Sequence, residues 1–174
     1  WITNITRIDH TKKNGISDIL AFDVGPCCSL LDDWVNYKKN EKYDNFGNYA
    51  KKGISNKKII QTYLKNSFFM KKPPKSLDRS YFSISAIKHL KLFDGATTLS
   101  KLVVGSLKKS LIFLPSKPNL FIVSGGGRKN SYLIDQIEKQ IGYKIKLSEE
   151  FNWDGDSIEA YAFGFLSARR LLNL

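Results

Sequence analysis

A short apolar run, Leu120-Phe121-Ile122-Val123, breaks into Ser124-Gly125-Gly126-Gly127. A helical pattern follows at Tyr132, Leu133, Gln136, Ile137 and Gln140, and a second strand-like run extends from Tyr143 to Leu147. No other stretch limits the fold so tightly. Strands joined through a helix lie parallel, because a parallel pair needs a long crossover connection and a helix is its usual form. The segment therefore predicts a strand-helix-strand unit and an α/β architecture.

The rest of the chain reads as elements that surround such a unit. Strand patterns from Ile2 to Ile8 and from Ile19 to Asp23, joined by the polar turn Lys12-Lys13-Asn14-Gly15, predict a hairpin. From Ser29 onward, Leu30, Leu31, Trp34 and Val35 recur at helical spacing, with Asp32, Asp33 and Asn36 opposite. Helical segments continue through Phe46 to Lys52 and Lys57 to Leu64, until Lys72-Pro73-Pro74-Lys75 forces extended chain. After Asp94, the residues Leu99, Leu102, Val103, Leu107 and Leu111 trace a core helix that stops before Pro115. A closing helix from Ser157 to Leu171 places Ile158, Ala162, Phe165 and Leu172 at core spacing. With 174 residues, 42% of them hydrophobic, the chain can bury one substantial core and reads as a single domain. It opens on Trp1 inside a strand pattern, without a starting Met, and reads as a piece of a longer polypeptide.

The net charge of +12 is concentrated in residues 38–79, which hold 12 Lys or Arg against Glu41, Asp44 and Asp78, a balance of +9. Nearly all of these cations are Lys scattered among Asn. They lack the Arg and aromatic interleaving by which strands or bases are bound, so a solvated basic face is favoured over a nucleic-acid surface. No apolar run approaches the roughly 20 residues that cross a bilayer, and the first residues carry no signal core. Neither nucleic acid nor membrane is expected as a partner. Cys27 and Cys28 are the only cysteines and are adjacent, so they cannot build the crosslinks of a secreted scaffold; this favours a reducing, cytoplasmic home. No His or Asp arrangement marks either as a nucleophile, and both read as small, buried turn residues.

Asp23 closes the apolar run Ile19-Leu20-Ala21-Phe22 and precedes Val24-Gly25-Pro26, a turn that stops the strand and leaves the carboxylate facing out. Ligands gather outside the carboxyl ends of strands in α/β sheets, so Asp23 can serve as base, metal ligand or water-positioner. It reads equally well as the cap of the helix that starts near Pro26. The glycines at 125–127 let the backbone approach a ligand closely, and the helix behind them favours anionic groups. Asn130 stands where the dinucleotide fingerprint wants Gly, and no Gly-Lys-Ser/Thr follows, so close helix-to-strand packing explains the glycines as readily. Glu159, behind Asp154-Gly155-Asp156, stands beside the apolar stripe of the closing helix, where acids also complement the helix dipole. His10 and His89 have no partner at metal-ligand spacing and take no role; no metal ligands are assigned.

Read together, these segments resemble the anhydro-N-acetylmuramic acid kinases, bacterial enzymes of cell-wall recycling in the sugar kinase and actin superfamily. The family's F-D-T-G-P-G-N and L-x-D-x-W are similar to Phe22-Asp23-Val24-Gly25-Pro26-Cys27-Cys28, then Leu31, Asp32 or Asp33, and Trp34. Its Y-D-x-x-G-x-x-A-x-x-G is similar to Tyr43-Asp44, Gly47, Ala50 and Gly53, and its P-P-K-S-T-G-R-E-x-F to Pro73 through Phe82. Its D-x-x-A-T-L, G-G-G-x-x-N and D-x-x-E-A-x-A-F resemble Asp94 to Leu99, Gly125 to Asn130, and Asp156 with Glu159-Ala160 and Ala162-Phe163.

The resemblance implies an α/β fold of the ribonuclease-H-like, actin-like ATPase class, a mixed sheet with flanking helices. Residues 1–174 would be the C-terminal lobe of a two-lobe enzyme whose phosphate-binding N-terminal lobe and extreme C-terminus lie outside the chain. It implies ATP and Mg2+ as cofactors, and phosphorylation of the 6-oxygen of 1,6-anhydro-N-acetylmuramic acid while water opens the anhydro ring. Asp23 would be the base, Glu159 would hold the sugar, and Gly25, Gly125, Gly126, Gly127 and Asn130 would line the nucleotide side. The partners implied are the sugar, ATP, the N-terminal lobe and, for the full-length protein, a second copy in a homodimer. The alternative is a noncatalytic relative that binds nucleotide or sugar. It is motivated by Val24 and Cys27-Cys28, which replace Thr and Gly-Asn and would lose polar contacts, and by Leu77-Asp78 in place of Thr-Gly.

Overall fold

The computed structural model describes residues 2–9 and 18–173; His10 and the turn at 12–15 lie outside them. Strands β1 (Ile2–Asp9) and β2 (Asp18–Pro26) pair antiparallel, as the alternating pattern predicts. β2 does not stop at Asp23 but runs on to Pro26. Thr3 faces Gly25 while Asn4 faces Asp23, so Val24 is an extra residue on β2, a bulge directly beside the carboxylate.

Helix α1 (Cys28–Lys39) leaves the end of β2, and α2 (Lys57–Leu64) has the boundaries read from its pattern. The helix expected over Phe46 to Lys52 is instead two short 3-10 turns, Asn45–Gly47 and Ala50–Lys52. The reason is local. Phe46 and Gly47 take φ of 54° and 71°, and the buried Asp44 carboxylate accepts the N–H groups of Tyr49 and Ala50 at 2.8 and 2.9 Å, which fixes a bend that no regular helix allows.

Helix α3 (Leu92–Ser110) is the centre of the molecule. Of its 19 residues, 12 are buried, and it packs on α1, α2 and β2 and on helix α4 (Ser131–Ile141). One side, at Ala96, Leu99 and Leu102, joins Trp34, Phe68, Phe69 and Ile87; the other, at Val103, Val104 and Leu107, joins Phe22, Val24, Leu133 and Ile137. Trp34 is fully buried and donates its indole N–H to the Leu92 carbonyl at 2.9 Å. A Cβ on Gly95 would stand 2.2 Å from that indole, so only glycine lets α3 lie this close to α1.

Strands β3 (Phe121–Val123) and β4 (Ile145–Leu147) flank α4 and pair in parallel, which bears out the strand-helix-strand reading. The architecture is thus mixed α/β with small sheets and flanking helices. The two pairs share no ladder among the described residues, so a single mixed sheet is not formed. On β2 the Asp23 N–H is taken by the Lys75 carbonyl at 3.1 Å and not by a further strand. With only one neighbour among the described residues, β3 is not the buried strand its composition predicts: Ile122 is 36% exposed.

Helix α5 (Ile158–Leu171) forms where expected, but its stripe is not core. None of its 14 residues is buried, and Phe165 and Leu172 are 62% and 68% exposed. The spacing is right for a packed face, and no surface among the described residues covers it.

Candidate active site

Asp23 owes its direction to its neighbours. Phe22 and Val24 are buried in the core, so strand alternation turns the side chain between them to the opposite face. There the proline-rich loop grips it twice. Its main-chain N–H donates to Lys75 O, and its Oδ2 accepts the Leu77 N–H at 2.7 Å. No donor among the described residues reaches Oδ1. Asp23 does not cap α1: the residue before that helix is Cys27, and no side chain caps it. The cap reading therefore falls, and a carboxylate held in one orientation with one oxygen unused remains.

The loop is pinned in turn. Arg79 pairs with Asp33 on α1 at 2.9 Å, and the Lys75 ammonium lies over Phe68 and Phe113 at 4.6 and 4.8 Å. Such cation–π contacts contribute about 0.5–2 kcal/mol each. Burial lowers the Lys75 pKa from the ordinary lysine range, and the Asp23 carboxylate opposes that shift. Neither the Leu77 N–H nor Lys75 was singled out by sequence reasoning, although Pro73-Pro74 marked the loop that carries them.

The glycine-rich turn is built for close approach. Gly125 takes φ of 75°, and a Cβ on Gly125 or Gly126 would meet nothing within 4 Å, so both backbones face open space. The N–H groups of Gly126 and Gly127 have no hydrogen-bond partner among the described residues, which leaves two donors at the head of the turn. Asn130 is 6% exposed, and its side chain accepts the Leu133 N–H at 3.0 Å, so it caps α4. Gly25 is also a packing residue: a Cβ there would stand 3.0 Å from Phe69 and Ser106.

Arg128, which sequence reasoning missed, clasps this turn to the segment before α5. Its nearly buried guanidinium binds Glu149 and Asp156, each at 2.7 Å, and the Gly125 carbonyl at 2.9 Å. Lys129 adds a second contact to Asp156 at 2.7 Å, and Gly125 N–H donates to Gly155 O at 2.8 Å. The Arg128 and Lys129 cations hold the Asp156 carboxyl well below the ordinary range. Asp156 and Asp154, whose carboxylate accepts the Ser157 hydroxyl at 2.6 Å, are thus engaged, whereas Glu159 is exposed in the first turn of α5.

A chain of contacts links these parts. The turn after β2 meets the glycine-rich turn directly, since a Cβ on Gly127 would be 3.5 Å from the sulfurs of both Cys27 and Cys28. The glycine-rich turn then carries, through Arg128 and Asp156, to the start of Glu159's helix. The cysteines are half-buried with sulfurs 3.8 Å apart; their shared hydrogen bond lowers the pKa of Cys27, and the same contact with burial raises that of Cys28. Two open grooves lie elsewhere, one of about 560 Å³ beside Tyr63 and Tyr81 and one of about 510 Å³ beside Pro115 and Tyr143. Neither is lined by Asp23, the glycines or Glu159. His89 is exposed and joins no cluster.

Residues 2–174 match the family model described as anhydro-N-acetylmuramic acid kinase. The chain belongs to this kinase family. It is 38% identical over 172 residues to the anhydro-N-acetylmuramic acid kinase of Zymomonas mobilis subsp. mobilis, an overlap that covers 99% of this chain and 46% of that relative. It is 35% identical to the one from Rhizorhabdus wittichii, covering 98% of this chain and 46% of the relative. The kinase of Rhodospirillum rubrum is likewise 35% identical, with 97% and 44% covered. The chain therefore spans under half the length of these curated relatives.

Against the family's motifs, the departures sort by burial. Val24 is fully buried and Leu77 is 9% exposed, both inside core clusters. Each replaces a threonine of the motif by an apolar side chain that faces the interior, where a hydroxyl would have needed a partner. At Val24, where polar contacts were expected to be lost, the side chain is fully buried in the core. Cys27 and Cys28 differ, because they lie against the glycine-rich turn.

Proposed function

We propose that the chain is the C-terminal lobe of a two-lobe kinase with a ribonuclease-H-like, actin-like ATPase fold. Joined to its N-terminal lobe, it transfers phosphate from ATP to the 6-oxygen of 1,6-anhydro-N-acetylmuramic acid. Water opens the anhydro ring in the same reaction and gives N-acetylmuramic acid 6-phosphate, a step of peptidoglycan turnover and cell-wall recycling in the cytoplasm. The observation that carries this reading is the double grip of the proline-rich loop on Asp23 beside the Val24 bulge, which holds the carboxylate through one oxygen and leaves the other without a donor among the described residues.

In this reading Asp23 accepts a proton from the water that attacks the anomeric carbon, a role that general bases fill with an effect of about 10²–10⁴ on rate. The open backbone at Gly125 and Gly126 and the N–H groups of Gly126 and Gly127 receive the nucleotide. Asn130 supports them by capping α4, Gly25 by letting β2 pack on α3, and Glu159 holds the sugar. No group of three or more His, Cys, Asp or Glu side chains suited to a metal comes together among the described residues. Mg2+ of a kinase would be held largely by the nucleotide phosphates, and no step is assigned to it here. Phosphoryl transfer rests on positioning and charge neutralisation, which the second lobe has to complete. The bare apolar face of α5 supports that reading, as does the share of the relatives' length that the chain covers. The complete enzyme is taken to be a homodimer.

A noncatalytic relative that binds nucleotide or sugar is the second reading, favoured by Cys27-Cys28 against the glycine-rich turn. The complete polypeptide, given anhydro-sugar and ATP, separates the two. Formation of the 6-phosphosugar with stoichiometric ADP is the expected result, and ligand binding without product would establish the second reading instead.

A further inference from the structure

Lys75 follows Pro73-Pro74 in the loop that grips Asp23, and both ends of this residue are fixed. Its carbonyl accepts the Asp23 N–H at 3.1 Å, and two residues later Leu77 N–H reaches Asp23 Oδ2 at 2.7 Å. Its ammonium lies 4.6 Å from the ring of Phe68, 4.8 Å from Phe113 and 5.8 Å from Phe22, and donates to the Phe68 carbonyl at 3.3 Å. Those rings come from separate elements. Phe22 is the β2 residue before Asp23, Phe113 follows α3, and Phe68 belongs to the short turn Ser67–Met70. Phe22 and Phe113 also meet edge to face at 6.1 Å, so the ammonium closes a cage that is already packed.

We propose that Lys75 is a positioning residue for Asp23: its caged ammonium fastens the proline-rich loop across β2, and the fastened loop presents the Leu77 N–H that holds the Asp23 carboxylate in one orientation. The inference rests on Asp23 being the base. A carboxylate on a short side chain turns freely between rotamers unless something anchors it, and a backbone N–H anchors only as well as its own loop is anchored. The cage supplies that second anchorage, because a positive charge among three aromatic faces holds its place better than a neutral chain of equal length. An apolar residue at this position would fill the same space without the charge.

The test uses the complete polypeptide, with Lys75→Met to remove the charge at similar length and Lys75→Arg to restore it. For Lys75→Met, kcat is expected to fall about 10- to 100-fold, as a misplaced reacting group requires, with KM for both substrates within about threefold of wild type. Lys75→Arg is expected to recover most of the loss. In an Asp23→Asn background Lys75→Met is expected to cost no further rate, because its effect passes through the carboxylate. A crystal structure of Lys75→Met, which does not depend on residual activity, is expected to show the Leu77–Asp23 hydrogen bond broken or split over two rotamers. Unchanged kcat, an equal loss in the Asp23→Asn background, or an intact hydrogen bond would each overturn the role of Lys75 while leaving Asp23 as base. Wild-type turnover by Asp23→Asn would instead overturn the base assignment, and this inference with it.

Discussion

Asp23 and Glu159, proposed as the base and as the residue that holds the sugar, are held in opposite ways. Asp23 lies between buried neighbours on a strand, bonded to the proline-rich loop through its main chain and its side chain. Glu159 lies on a helix with no buried residue, tied to the body through the Arg128–Asp156 pair just ahead of it. The same contrast separates the helices. α3 buries 12 of its 19 residues and α5 none of its 14, although both carry apolar residues at helical spacing. Periodicity says which face of a helix is meant to be covered, and says nothing of what covers it.

The sharpest way to break the contrast is to ask the chain to work alone. The isolated 174-residue chain is expected to form no detectable 6-phosphosugar, and the complete polypeptide is expected to form it. Measurable turnover by the isolated chain would mean that α5 needs no partner.

Stability gives a graded version. In the isolated chain, Leu99→Ala on α3 is expected to cost about 2–5 kcal/mol in denaturant unfolding. Phe165→Ala on α5 should stay within about 0.5 kcal/mol of the parent in the same chain and rise to about 3–5 kcal/mol in the complete polypeptide. A large cost for Phe165→Ala in the isolated chain would show that its exposed ring is packed after all.

How much of this was legible in the sequence follows the same division. The strand-helix-strand unit, the hairpin and the core helix were all readable, because each is specified by local periodicity and by turn residues within it. Burial of β3 and α5 was not, because it depends on surfaces that the local pattern does not contain. The turn at Asp44 was missed because a buried carboxylate that accepts two N–H groups overrides the helical preference of its neighbours. Asp23 was legible as a strand-end carboxylate, but its rival reading as a helix cap could be dismissed only by seeing where the Leu77 N–H lies. Arg128 gave no signal beyond being a cation after glycines, and its acidic partners lie some 20 or more residues further along the chain.

Smaller effects refine the well-held half. Asp44→Ala leaves two N–H groups unpaired in a buried turn and is expected to cost about 2–3 kcal/mol in either form of the protein; a neutral result would remove Asp44 as the cause of the bend. Burial raises the Asp32 carboxyl to about 6, against about 3.9 for a solvated Asp. The folded state therefore binds that proton more tightly than the unfolded state. Its contribution to stability is complete below about pH 4 and is lost as pH rises through 6. Asp32→Asn is thus expected to raise the melting temperature near pH 8 and leave it unchanged near pH 4. The gain should stay under about 1 kcal/mol because the group is partly solvated. A variant less stable near pH 8 would show that the charged form is wanted. Smallest of all, Arg79→Ala removes an exposed ion pair with Asp33 and should shift unfolding by no more than about 0.5 kcal/mol.

The measurement that bears most directly on Asp23 as the base is the turnover of Asp23→Asn in the complete polypeptide, with circular dichroism and melting run beside it. The account predicts a folded protein that still binds sugar and nucleotide but forms the 6-phosphosugar about 10²–10⁴-fold more slowly. A folded Asp23→Asn protein working at the wild-type rate would contradict it.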